Sequence, residues 1–141
     1  MKQHTSETKV PKYLKWISPK TSDSLKKRIW KILVEEKAYK DKTFSAKKLA
    51  ENLHTNSRYV SLVINTRFQK NYSSFVNGLR VEEAMRLLVD KRYDSFSIQD
   101  VSDAVGFSCR QSFYNAFMKI RGMSPQDYRD KYGSSTESNS L

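Results

Sequence analysis

Two stretches of the chain carry side chains suited to reading the edges of nucleic acid bases. Over residues 56–66, Val60, Val63 and Ile64 recur at helical spacing, so Arg58, Ser61, Leu62 and Asn65 fall on the opposite face. Over residues 110–121, Phe113, Ala116 and Phe117 turn inward and leave Arg110, Gln111, Tyr114 and Asn115 outward. Arginine pairs with guanine O6 and N7, glutamine and asparagine with adenine N6 and N7, and serine with either, while leucine can pack on a thymine methyl. Lys47, Lys48, Arg67, Lys70, Lys119 and Arg121 flank these stretches and suit phosphate contacts, which position without specifying. Backbone N–H groups at helix starts near Ser45 and Ser97 add further phosphate donors. Catalytic chemistry has less support. One cysteine, Cys109, and two distant histidines assemble no metal set, and no other catalytic constellation stands out. The sequence predicts no enzyme, no cofactor and no metal.

The elements that must hold these faces are short, capped helices. Ser97 caps one, with Asp100 in the box position and Phe96 and Val101 placed as a hydrophobic staple. Val101, Ala104 and Val105 give that helix an inward face, and Gly106 ends it where a left-handed residue is needed. Phe107 drops into the core, Ser108 caps the next helix with Gln111 in its box, and Gly122 closes it. Ser124 and Pro125 start a last short helix, with Asp127 in the box. Two helices across a tight turn form a helix-turn-helix, whose second helix enters the major groove.

The same plan occurs earlier. Phe44-Ser45 with Leu49, Ala50 and Leu53 repeats Phe96-Ser97 with Val101, Ser102 and Val105 at an offset of 52. Beyond the turn the offset is 53, pairing Val60 with Phe113 and Ile64 with Phe117. This weak internal duplication implies two copies of one unit. His54 stands where the second copy has Gly106 and must tolerate the turn's backbone.

Around these copies the chain reads as follows. Residues 1–21 are polar, Lys-rich and interrupted by Pro11 and Pro19, a tail or linker in which Tyr13, Leu14, Trp16 and Ile17 are apolar enough to dock. A first helix starts at Ser22 or Ser24 and buries Leu25, Ile29, Ile32 and Leu33, with Trp30 off that stripe facing solvent or a partner. Residues 37–42 form a charged loop. A connector helix over about 71–90 buries Phe75, Val76, Leu79, Leu87 and Leu88, and Gly78 within it marks close packing or a mild bend. About 19 residues at ~1.5 Å rise span ~28 Å, close to the ~34 Å between successive major-groove faces. Residues 133–141 are low-complexity and read as disordered. The fold class is all-α: about seven helices in two helix-turn-helix subdomains (about 45–66 and 97–121) within a folded region 22–133.

Composition agrees. A net charge of +11 on 141 residues points toward a polyanion. Residues 1–42 carry 12 basic and 5 acidic groups, 43–96 carry 9 and 5, and 97–141 carry 5 and 5, so the excess lies in the first copy and before it. No stretch approaches the ~20 apolar residues of a membrane span, and the N-terminus lacks a signal-peptide apolar region. The single cysteine suits a reducing cytosol, and the expected location is cytoplasmic.

Ala104-Val105-Gly106-Phe107-Ser108, Phe113, Phe117, Lys119, Gly122, Ser124-Pro125 and Tyr128-Arg129 together resemble the signature of the AraC/XylS-type transcription regulators. Leu49-Ala50, Tyr59-Val60, Asn77, Arg80-Val81, Ala84 and Leu87-Leu88 match the first half of that domain, so the resemblance covers roughly residues 25–132. It implies a sequence-specific regulator that binds double-stranded DNA through two recognition helices in adjacent major grooves. Arg58, Ser61, Leu62, Gln111, Tyr114 and Asn115 match its base-reading positions. Leu62 departs from the charged or polar residue often found there. It further implies RNA polymerase as a partner, and a sensor or dimerisation domain outside this chain that could tether it to a membrane. Two other functions compete: a protein-interaction module using Leu14, Trp16 and Trp30, and a repair protein accepting an alkyl group on Cys109.

Overall fold

The computed structural model describes residues 17–133, and among them seven α-helices and no strand occur. In chain order these are α1 (Pro19–Trp30), α2 (Ala46–Asn52), α3 (Ser57–Phe68), α4 (Tyr72–Val89), α5 (Ile98–Val105), α6 (Arg110–Arg121) and α7 (Pro125–Tyr128). They fall into two compact units, the first from Met1–Lys37 and Phe44–Phe75, the second from Ala38–Thr43 and Val76–Leu141. Helix α4 begins in the first and runs on into the second.

In unit 1, α1 starts earlier than the sequence suggests. Ser18 is its cap, accepting from the Thr21 amide at 3.0 Å, and Pro19 takes the first helical position. Proline tolerates that position because the missing N–H would be unpaired there in any case. Residues 19–21, expected in the tail, are therefore the first turn of α1. Tyr13, Leu14 and Trp16 lie outside the described residues. Leu25, Ile29 and Leu33 are buried, while Ile32 is only half-buried, because the helix widens into a π-turn over Lys31–Glu35. Leu49, Ala50, Leu53, Val60, Val63, Ile64 and Phe75 are also buried in this unit.

Unit 2 is built around Val81, Ala84, Leu87 and Leu88 of α4, Val101 and Val105 of α5, and Phe107, Phe113 and Phe117. The α5 face differs from expectation at two positions: Ala104 is exposed and Ser102 is fully buried. Ser102 is the repeat partner of Ala50, also buried, so the duplication marks the inward face better than the apolar stripe does. Leu79 is only half-buried, and Gly78 has open space where a Cβ would stand, so it marks no close packing.

The segment expected as a charged loop joins unit 2. A 3₁₀ turn at Ala38–Lys40 buries Tyr39, whose carbonyl accepts from Arg80 Nε at 2.7 Å. The Arg80 guanidinium also lies 5.6 Å from the Phe107 ring centre. Gly106, at φ +106°, lies so close to this segment that a Cβ would stand 2.2 Å from the Tyr39 oxygen. Conformation and space both demand glycine there. Arg129, just after α7, donates to the carbonyls of Phe96 (2.7 Å) and Leu88 (3.3 Å), fastening α7 onto the same unit.

Candidate nucleic-acid interface

The second helix of each unit presents one polar face, fixed by what its other face buries. In unit 1, Asn56 caps α3 by accepting from the Tyr59 amide at 2.9 Å. Val60, Val63 and Ile64 are fully buried, which turns Arg58 and Asn65 to solvent and leaves Ser61 and Leu62 half-exposed. Asn65 Nδ2 donates to the Ser61 carbonyl at 2.9 Å and so lies along the helix.

Basic groups frame this face. Ser45 caps α2 by accepting from the Lys48 amide at 3.1 Å, and the first turn of α2 holds Lys47 and Lys48 but no acid. Lys70 is exposed just after Gln69, which is left-handed at φ +55°. Arg67 departs from its expected phosphate role. It donates to Ser22 Oγ at 2.8 Å and to the Asp23 carboxylate, fastening α3 to α1. That hydrogen bond, with the guanidinium charge behind it, holds the Asp23 carboxyl below its ordinary range.

In unit 2 the capping box at Ser97 is complete: Ser97 Oγ accepts from the Asp100 amide at 3.0 Å and Asp100 Oδ2 from the Ser97 amide at 2.9 Å. The Ser97 N–H expected to hold phosphate is thus engaged by a carboxylate, which would repel that anion. Helix α6 begins one residue later than predicted. Cys109, not Ser108, stands at its cap in extended conformation without a capping bond. Its sulfur lies 3.2 Å from Ser112 Oγ, and this hydrogen bond lowers the thiol's pKa below its usual value.

Phe113 and Phe117 are fully buried, so Arg110, Gln111, Tyr114 and Asn115 are all exposed. Gln111 Nε2 donates to Asn115 Oδ1 at 2.8 Å, joining the two amides one turn apart. Lys119 is exposed, and the Arg121 guanidinium lies 5.5 Å from the Tyr128 ring centre. The face extends to Met118, which the sequence reading missed although it lies seven residues from Gln111, two helical turns on. Trp30 is 43% exposed in unit 1, beside Phe68 and Phe75. Among the described residues, no group of three or more His, Cys, Asp or Glu could hold a metal ion, and no helix is long and apolar enough to cross a membrane.

The family described as a helix-turn-helix domain matches residues 49–131, most of both units. The chain belongs to this AraC-type helix-turn-helix family. It is 37% identical over 84 residues to the HTH-type transcriptional regulator YobQ of Bacillus subtilis, covering 60% of this chain and 34% of that protein. Against the melibiose operon regulatory protein of Escherichia coli it is 29% identical over 89 residues, covering 63% of this chain and 28% of that one. The chain thus spans about a third of these relatives' length. Among solved structures, it resembles the C-terminal domain of the two-component response regulator yesN from Fusobacterium nucleatum, with a TM-score of 0.67 and 26% identity over 75% of this chain and 98% of that one. The DNA-binding domain of AdpA, in complex with a target DNA, shares the fold with a TM-score of 0.68 at 22% identity over 79% of this chain and 94% of that one.

Proposed function

We propose that this chain is the DNA-binding part of a transcription regulator, reading one asymmetric duplex site with two dissimilar helices. The observation that carries the reading is the like build of α3 and α6, each within its own unit. Each is a 12-residue helix buried on one side and open on the other, with base-capable side chains on the open side. Arg58, Ser61 and Leu62 would read one block, and Arg110, Gln111, Tyr114 and Asn115 the other. Lys47, Lys48, Lys70, Lys119 and Arg121, with the α2 start at Ser45, would hold phosphates. Helix α4 has 18 residues, or about 27 Å at the α-helical rise, which supports blocks about one turn of DNA apart. The relatives' names and the DNA-bound AdpA domain support the same reading.

The proposal extends to a cytoplasmic location, to a sensor or dimerisation domain in the remainder of a longer regulator, and to RNA polymerase as a partner. It includes no catalytic step. Incubation with methylated DNA and mass analysis should leave Cys109 unmodified. The exposed Trp30 favours a protein contact in addition to DNA, in which case Trp30→Ala retains DNA binding while losing the partner. The test of the main reading is selection from a random duplex pool at ~150 mM salt, where non-specific binding is weakened. One enriched motif is expected, and no enrichment over random duplex contradicts the reading.

A further inference from the structure

We infer that α6 reads a block of A·T pairs, and that Met118 and Tyr114 determine this preference by packing on thymine methyl groups. The inference rests on the DNA-binding reading above and adds the base composition that unit 2 recognises. Its basis is the make-up of the α6 face. Gln111, Asn115 and Met118 lie along its centre, with Tyr114 beside them, and none carries a charge.

The two amides are already joined, because Gln111 Nε2 donates to Asn115 Oδ1. This leaves Gln111 Oε1 as an acceptor and the remaining amide hydrogens as donors. That set complements adenine, which offers the N6 amino group as donor and N7 as acceptor in the major groove. Beside them, Tyr114 and Met118 are 42% and 37% exposed and put apolar surface on this face, which a contact would bury. The apolar feature unique to one base in the major groove is the thymine C5-methyl. A guanine-reading face would need a cation aimed at O6 and N7. Here Arg110 sits on the first turn at the margin of the face, which confines any guanine to the edge of the block. On α3, by contrast, Arg58 shares the open face with Ser61 and Asn65.

The experiment measures binding of the full chain to its selected duplex and to the same duplex with deoxyuridine replacing thymidine in one block at a time. Deoxyuridine keeps the pairing and removes only the methyl. Replacement in the α6 block should weaken binding roughly fourfold per contacted methyl, the effect of one buried carbon. Met118→Ala with Tyr114→Ala should bind more weakly and lose sensitivity to the replacement. Both side chains are surface-exposed, and an unchanged circular dichroism melt would show that the variant folds. A selected α6 block rich in G·C, or deoxyuridine without effect there, overturns the inference while leaving the DNA-binding reading intact. If no sequence is selected at all, both fall.

Discussion

Among the described residues, unit 1 places three non-glycine residues, Lys37, His54 and Gln69, in the left-handed backbone region, whereas unit 2 places Gly106 and Gly122 there. Charge divides the same way. The first turn of α2 carries two lysines and no acid, while the first turn of α5 carries Asp100, committed to a capping box. The two copies thus differ, with basic charge at the start of α2 in unit 1 and glycine turns with a complete capping box in unit 2. Salt dependence should therefore come mainly from the first copy, while both copies contribute base reading.

The largest expected effect is at the paired turn. Gly106→Ala combines a left-handed backbone, costing roughly 1–3 kcal/mol, with a Cβ 2.2 Å from the Tyr39 oxygen. Chemical denaturation should show a loss of about 3 kcal/mol or more. Next comes base reading. Arg58→Ala should lower affinity for the selected site by about 1–3 kcal/mol and relax preference at one position, measured by titration against the site and its single-base variants. Lys47→Ala should instead weaken all sequences alike and reduce the salt slope by about one.

A smaller effect belongs to the cap. Ser97→Ala should cost about 1 kcal/mol of stability, since it breaks one arm of the box. His54→Gly should have the opposite sign, raising stability by roughly 0.5 kcal/mol, because relief of left-handed strain exceeds the entropy glycine adds to the unfolded chain. A thermal melt distinguishes the two signs. The smallest effect concerns acid. Lys42 Nζ donates to Asp103 Oδ1 at 2.8 Å, Gln99 Nε2 donates to the same oxygen at 3.1 Å, and these bonds lower the Asp103 pKa. A depressed folded value means that the contribution is present above the ordinary carboxylate range and disappears as pH falls through the lowered one. Lys42→Ala should move the Asp103 titration, followed by NMR, back upward.

Much of this was legible in the sequence, for local reasons. Caps at Ser45, Ser97 and Ser124, the glycine stop at Gly106 and the buried Phe113 and Phe117 depend on nearest neighbours and helical period, which a sequence displays directly. Tyr39 and Ala38–Thr43 were not legible as part of unit 2, because their place depends on long-range bonds to Arg80 and a close approach to Gly106. Arg67 looked like any surface cation until Asp23, 44 residues away in sequence, was set beside it. Ser108 lost the α6 cap to Cys109 by one residue, a shift that spacing alone does not resolve. Met118 was passed over because an apolar residue on a helix is first assigned to the core.

The most direct test of two independent readers is to repeat the selection with Arg58→Ala and with Gln111→Ala. Each variant should lose information in one block of the motif and retain the other, and the two blocks should differ. Loss of the same block by both variants, or an unchanged motif in either, would contradict the assignment of α3 and α6 to separate parts of one site.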